Sequence, residues 1–120
     1  MQNESALPII LSGIQPSGKL HIGNYFGAIR QHIAMQDKGR AFYFIANFHS
    51  LTSLKNGKSL REYTYEIALD YLALGLNPNK ATFFAQSDVP QVTELAWILS
   101  TLTPVSLMDK GVSYKDKIAA

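Results

Sequence analysis

A parallel α/β sheet built from three strand-helix units is the fold this 120-residue chain predicts, on three observations. Three short, unbroken apolar runs are each followed by a polar or turn-forming stretch, and then by apolar residues at helical spacing. The runs are rich in β-branched and aromatic residues, which suit strands. Strands without polar alternation are buried on both faces, as in a parallel sheet with right-handed crossover helices.

The first run, Pro8 to Leu11, reads as a buried strand closed by the turn residues Ser12-Gly13. From Ile22 the spacing becomes helical, with Ile22, Tyr25, Phe26, Ile29 and Ile33 on one stripe and Gly39 at the stop. Ala41 to Ala46 is the second strand, too short and too aromatic for a surface helix, and it ends at Asn47 and His49. Ser59 and Glu62 stand at capping-box spacing ahead of Leu60, Ile67, Tyr71, Leu72 and Leu74, and Gly75 closes that helix. The third strand, Ala81 to Ala85, ends at Gln86-Ser87-Asp88. Asp88 is placed to cap a helix carrying Pro90 in its first turn and Gln91 at the reciprocal position. Val92, Leu95, Ala96, Leu99 and Leu102 form its stripe until Pro104, and Trp97 reads as core.

Composition narrows the function. Eleven basic and nine acidic residues leave a net charge of +2 with no basic block, so no nucleic-acid groove is announced. Absence of cysteine excludes disulfides, thiolate metal sites and cysteine nucleophiles, and fits a reducing compartment. The opening residues lack the charge and apolar length of a signal peptide or membrane span, so a cytoplasmic protein is expected. With 47% apolar residues the chain reads as one domain.

Ligands of open parallel sheets bind beyond the carboxyl ends of the strands, here Ser12 to Gln15, Asn47 to His49 and Gln86 to Asp88. Between the first strand and helix lies Ser12-Gly13-Ile14-Gln15-Pro16-Ser17-Gly18-Lys19-Leu20-His21-Ile22-Gly23-Asn24. Backbone amides at a helix start attract anions, and glycines permit a phosphate or adenine to approach closely. Taken alone, the stretch is equally an ordinary turn before a helix. Gly13, Gly18 and Lys19 have Walker A spacing, but Leu20 stands where a magnesium-ligating hydroxyl belongs, and no convincing Walker B partner follows. The dinucleotide fingerprint is absent.

The string His21-Ile22-Gly23-Asn24 resembles the His-Ile-Gly-His signature of class I aminoacyl-tRNA synthetases. With Ser12 to Gly18 before it and Tyr25, Gly27 and Ala28 after it, the stretch is similar to the tryptophanyl-tRNA synthetase family. Looser likeness continues through His49, Gly75 to Pro78, Gln86-Ser87, Val89-Pro90, Trp97 and Tyr114 to Lys117. Asn47-Phe48 departs from the acidic or Gln-containing pair of many members, and Thr103 to Lys110 has no close match.

The resemblance implies a doubly wound Rossmann-like sheet of which residues 1–120 hold the first half, the amino-terminal half of the catalytic domain. The family's Lys-Met-Ser-Lys-Ser loop and the acidic residue for the indole nitrogen do not occur, nor does an anticodon-binding domain, so truncation is expected, with this piece alone inactive or nearly so. The implied reaction activates L-tryptophan with ATP and Mg2+ to tryptophanyl adenylate and then charges tRNA(Trp), in a homodimer without membrane association.

His21 and Lys117 are the implied catalytic residues, at the ATP phosphates and the pyrophosphate respectively. Gln15, Pro16 and Ser17 would shape the wall of the ATP site. Gly23 would admit adenine against the backbone, and Asn24 would hydrogen-bond the nucleotide. His49 would line the substrate pocket. Each has a plainer alternative: a helix cap for His21, an exposed lysine for Lys117, an ordinary turn for residues 15–17, a structural histidine for His49. No metal site is expected on the chain itself, and His32, beside the first helical stripe, is expected to carry no chemistry. A noncatalytic nucleotide-binding domain is the functional alternative, opposed by the unbroken signature from Ser12 to Asn24.

Overall fold

The computed structural model describes residues 7–111. In chain order its elements are β1 (Ile9–Ile14), α1 (Ile22–Asn24), a π-helical turn (Tyr25–Ile29), α2 (Arg30–Met35), β2 (Arg40–Ile45), α3 (Asn47–Ser50), α4 (Gly57–Ala73), β3 (Ala81–Ala85), a 3-10 turn (Gln86–Asp88), α5 (Gln91–Leu102) and α6 (Val105–Met108). The strands form one parallel sheet in the order β1-β2-β3. This is the α/β architecture expected, a partial Rossmann-like fold. The chain divides into two compact units, the first ending at Asp88 and the second beginning at Val89.

β1 runs three residues beyond the expected Leu11, because Ser12, Gly13 and Ile14 continue the ladder opposite Tyr43, Phe44 and Ile45. Gly13 makes this possible, since a Cβ there would stand 2.7 Å from the Phe44 ring and 2.8 Å from the Phe44 carbonyl oxygen. The turn residues read as ending the strand are therefore part of it.

Burial is one-sided where an unbroken apolar run implied two buried faces. Ala41, Tyr43 and Ile45 are buried with Ile14, Ile29, Ile67, Tyr71, Leu76 and Ala81 in a single core, whereas Ile9 and Leu11 remain 69% and 66% exposed. Only one face of β1 meets that core in the described residues. At about 25 cal/mol per Å2 of apolar surface removed from water, the buried set is the main stabilising contribution.

The stripe read over Ile22 to Ile33 is split. The Arg30 N–H bonds back to the Tyr25 carbonyl five residues earlier, and this wider turn rotates the residues before it out of phase. Ile29 is fully buried, while Ile22 and Phe26 are exposed. His32 is buried, stacked on Tyr43 at 4.7 Å and hydrogen-bonded through Nδ1 to the Tyr71 hydroxyl at 2.8 Å. Tyr43 in turn donates to the His32 carbonyl at 2.9 Å. His32 thus joins α2, β2 and α4. Burial holds its pKa below the ordinary 6.5 and pushes the Tyr71 hydroxyl well above the usual phenol range.

Two caps differ from expectation. Asn56, not Ser59, caps α4, its Oδ1 accepting from the N–H groups of Lys58 and Ser59. An Asx side chain directly before the helix outcompetes a serine already inside it. Asp88 turns back to accept from the Ala85 N–H at 3.1 Å, leaving Pro90 at the N-cap of α5 without a side-chain cap. The α5 stripe and Trp97 are also corrected: Trp97 is 72% and Leu102 74% exposed. Among the described residues of its own unit, α5 is followed only by the four-residue α6, too little surface to enclose an apolar helix.

Candidate functional site

The carboxyl ends of the three strands are tied together by side chains that follow them. Beyond the last ladder pair, the Ala46 N–H donates to the Ile14 carbonyl at 2.8 Å. The buried Ser50 hydroxyl at the end of α3 donates to the Pro16 carbonyl at 2.9 Å. Pro16 is itself fully buried, and the Ser17 N–H closes onto the Gln15 carbonyl at 3.0 Å. The loop after β1 therefore leaves the strand in a set direction: Pro16 is the anchor, while Gln15 and Ser17 on either side are exposed. Of the three residues expected to form a wall, Gln15 and Ser17 are exposed and Pro16 lies buried between them.

The loop ends in a self-contained cap. The His21 backbone N–H donates to Asn24 Oδ1 at 3.0 Å, and His21 Nδ1 accepts from the Gly23 N–H at 3.1 Å. With the extended backbone of His21 this makes a capping box for the helical run that starts at Ile22. Nδ1 can accept only if the neutral ring carries its hydrogen on Nε2, and that N–H has no partner among the described residues. Asn24 spends its oxygen on the cap, and its NH2 group has no partner among the described residues. Gly23 acquires a specific reason: a Cβ there would lie 2.9 Å from His21 Cε1 and 3.0 Å from Nδ1, so a side chain at 23 displaces the imidazole.

At the next strand end, His49 lies exposed on α3, with Nδ1 3.2 Å from Gln86 Oε1. Asn47 joins Ser87 by two bonds: its Nδ2 donates to Ser87 Oγ at 2.8 Å, and its Oδ1 accepts from the Ser87 N–H at 3.1 Å. Sequence reasoning named Asn47 as a strand-end residue and as a family departure, and missed this joint. The signal was its polar side chain directly after an apolar strand, although a partner 40 residues away cannot be read from spacing.

The structure thus brings His21, Gly23 and Asn24 together, and links residues 15–17 to α3. Lys117 lies outside the described residues. A cavity of about 300 Å3 borders His21, Tyr25 and Ile29 on one side and Asp70, Ala73 and Leu74 of α4 on the other. A larger hollow of about 600 Å3, lined by Leu60, Arg61, Tyr65, Phe83, Phe84 and Ser87 among others, contains none of the loop residues. Arg61 is the one cationic side chain in its lining, and the acidic Asp88 shares it. No group of three or more His, Asp or Glu side chains gathers to hold a metal among the described residues.

A parallel α/β half-sheet that presents a capped, glycine-bearing loop at its strand ends is the architecture of the nucleotide-using class I synthetases. Residues 3–119 match the family model described as tRNA synthetases class I (W and Y), and the chain belongs to that family. The affinity is with its tryptophan members, as the residues from Ser12 to Ala28 indicated. A tryptophan–tRNA ligase of Fusobacterium nucleatum is 63% identical over 109 residues, covering 91% of this chain and 34% of the relative. That of Rhodopirellula baltica is 54% identical over 110 residues, covering 92% and 34%.

Solved structures agree. The tryptophanyl-tRNA synthetase of Campylobacter jejuni complexed with ADP and tryptophan superposes with a TM-score of 0.84 at 50% identity, covering 93% of this chain and 35% of that one. The Mycoplasma pneumoniae enzyme gives 0.82 at 32% identity, covering 92% and 33%. The chain spans about a third of the length of these relatives. No helix among the described residues is long and apolar enough to cross a membrane.

Proposed function

We propose that the protein to which this chain belongs activates L-tryptophan with ATP and transfers it to tRNA(Trp), and that residues 1–120 are the amino-terminal half of its catalytic domain, holding the ATP loop. A carboxylate oxygen of tryptophan attacks the α-phosphorus, the bond to the bridging oxygen breaks, and pyrophosphate leaves with the electron pair. Negative charge grows on the phosphate oxygens, so preorganised donors accelerate the step more than a protein nucleophile would.

The observation that carries this reading is the bond between His21 Nδ1 and the Gly23 N–H, which leaves Nε2–H as a fixed donor at the mouth of the loop. His21 therefore both caps the helix and donates to the phosphates, and its two nitrogens serve the two roles separately. Asn24 offers its free NH2 to the nucleotide. Gly23 keeps the space that the imidazole occupies and leaves the backbone open to adenine. Gln15 and Ser17 border the nucleotide over the buried Pro16, His49 contributes to the amino-acid pocket, and Lys117 reaches the pyrophosphate. Magnesium would arrive on the phosphates of ATP, since it commonly retains water and substrate oxygens as ligands.

The relative bound to ADP and tryptophan supports the same two ligands here. Transfer to tRNA, a homodimeric state and a cytoplasmic location complete the proposal. Tryptophan-dependent exchange of pyrophosphate into ATP by the complete protein tests it. Exchange with tryptophan and not tyrosine is expected, and no exchange with either amino acid would overturn the reading.

A further inference from the structure

We propose that Asn47 is a positioning residue of the amino-acid site, acting through the Gln86–Asp88 turn on His49; this rests on the function proposed above. The last paired residues of β2 and β3 are Ile45 and Ala85. Past them the backbones diverge into α3 and the 3-10 turn, and no ladder bond holds the two segments together. The Asn47 carboxamide replaces that missing rung, donating through Nδ2 to Ser87 Oγ at 2.8 Å and accepting through Oδ1 from the Ser87 N–H at 3.1 Å. One residue earlier on the turn, Gln86 Oε1 meets His49 Nδ1 at 3.2 Å.

An amide oxygen only accepts, so His49 Nδ1 carries the hydrogen in this contact, and in the neutral ring Nε2 keeps its lone pair. The imidazole thereby faces a ligand as an acceptor for N–H, the group an amino acid's ammonium or indole offers. His49 is exposed, and Gln86 is the only hydrogen-bond partner of its imidazole among the described residues. The order of control is Asn47 to Ser87, Ser87 to the neighbouring Gln86, and Gln86 to His49. Without Asn47 the turn retains the Asp88 contact to the Ala85 N–H, which lies within the β3 segment and does not tie it to α3.

The experiment is steady-state pyrophosphate exchange by the complete protein, with thermal unfolding measured in parallel, on wild type, Asn47→Ala, Asn47→Asp, His49→Ala and the double variant Asn47→Ala/His49→Ala. Asn47→Ala should raise KM for tryptophan about tenfold, the scale of one to two hydrogen bonds, with kcat within about threefold of wild type. Because Asn47 acts through His49, the double variant should bind tryptophan no worse than His49→Ala alone. Asn47→Asp should recover wild-type KM to within about threefold, since a carboxylate accepts from both the N–H and the O–H of Ser87. Additive losses in the double variant, a wild-type KM in Asn47→Ala, or no recovery in Asn47→Asp would each overturn the inference. If Asn47→Ala does not fold, Ser87→Ala, which removes only the Oγ arm, carries the same additivity comparison. A wild-type protein that exchanges no pyrophosphate overturns the proposed function itself, which separates that failure from failure of the Asn47 role.

Discussion

His21 Nδ1 accepts a hydrogen bond from the Gly23 backbone N–H at 3.1 Å, so one nitrogen of the ring is committed to the fold, while Nε2 has no partner among the described residues. Capping and the proposed catalytic role become separable by substitution.

His21→Ala in the complete protein is expected to lower the rate of adenylate formation by about two to three orders of magnitude, the range for one lost transition-state donor. It should also cost about 1 kcal/mol of stability from the lost cap. His21→Asn restores a capping side chain without the Nε2–H. Single-turnover kinetics beside chemical denaturation should show stability recovered and the rate not. Recovery of both would remove His21 from the chemistry.

Gly23→Ala is expected to impair nucleotide use by pushing the imidazole aside, given the 2.9 Å approach of a Cβ to His21 Cε1. Helix propensity rises by about 1 kcal/mol with the same change, so the fold should persist. In a His21→Ala background the substitution should lower the exchange rate little further. A full additional loss there would show that Gly23 matters through direct contact with adenine instead.

Acid should destabilise the protein through His32. Its folded pKa lies below the ordinary 6.5 because burial disfavours the imidazolium, so between the two values the unfolded chain binds more protons than the folded one. Stability is then complete above about pH 6.5 and falls as pH drops below it, until the folded pKa is reached. His32→Gln should flatten this limb when melting temperature is followed from pH 7.5 to 5. An unchanged slope would assign the acid limb to other groups.

Gln36→Ala should cost about 1–3 kcal/mol, because the buried carboxamide accepts from the Asn77 N–H at 2.8 Å and donates to the Gly75 carbonyl at 3.3 Å. Urea denaturation measures it. A loss below about 0.5 kcal/mol, ordinary for surface positions, would mean that water replaces both bonds.

The 120-residue chain alone should form tryptophanyl adenylate about four or more orders of magnitude more slowly than a complete tryptophan–tRNA ligase, with two or more donors absent at about 3 kcal/mol each. In the described residues β1 pairs only with β2 and exposes Ile9 and Leu11, so self-association at that strand is expected as well. Single-turnover assays beside the complete enzyme decide the first point, and sedimentation of the chain decides the second. Activity within tenfold would show that this half suffices.

Local chemistry in the sequence determined much of this molecule. Apolar runs, turn residues and helical spacing specified three parallel strands and the helices between them, and the 17 residues from Ser12 to Ala28 specified the family. These features act over one element or one loop, and are legible for that reason. Tertiary structure decided what depends on residues distant along the chain. Gly13 lies within β1 because Phe44 needs its space. Ile9, Leu11 and Trp97 are exposed because burial requires a covering surface, which a side chain's own apolarity cannot provide. Asn47 found Ser87 and His32 found Tyr71, about 40 residues away in each case, only once parallel pairing had placed β2 and β3 side by side and laid α4 over them. Hydrogen bonds are directional and short, so their partners are set by that final geometry.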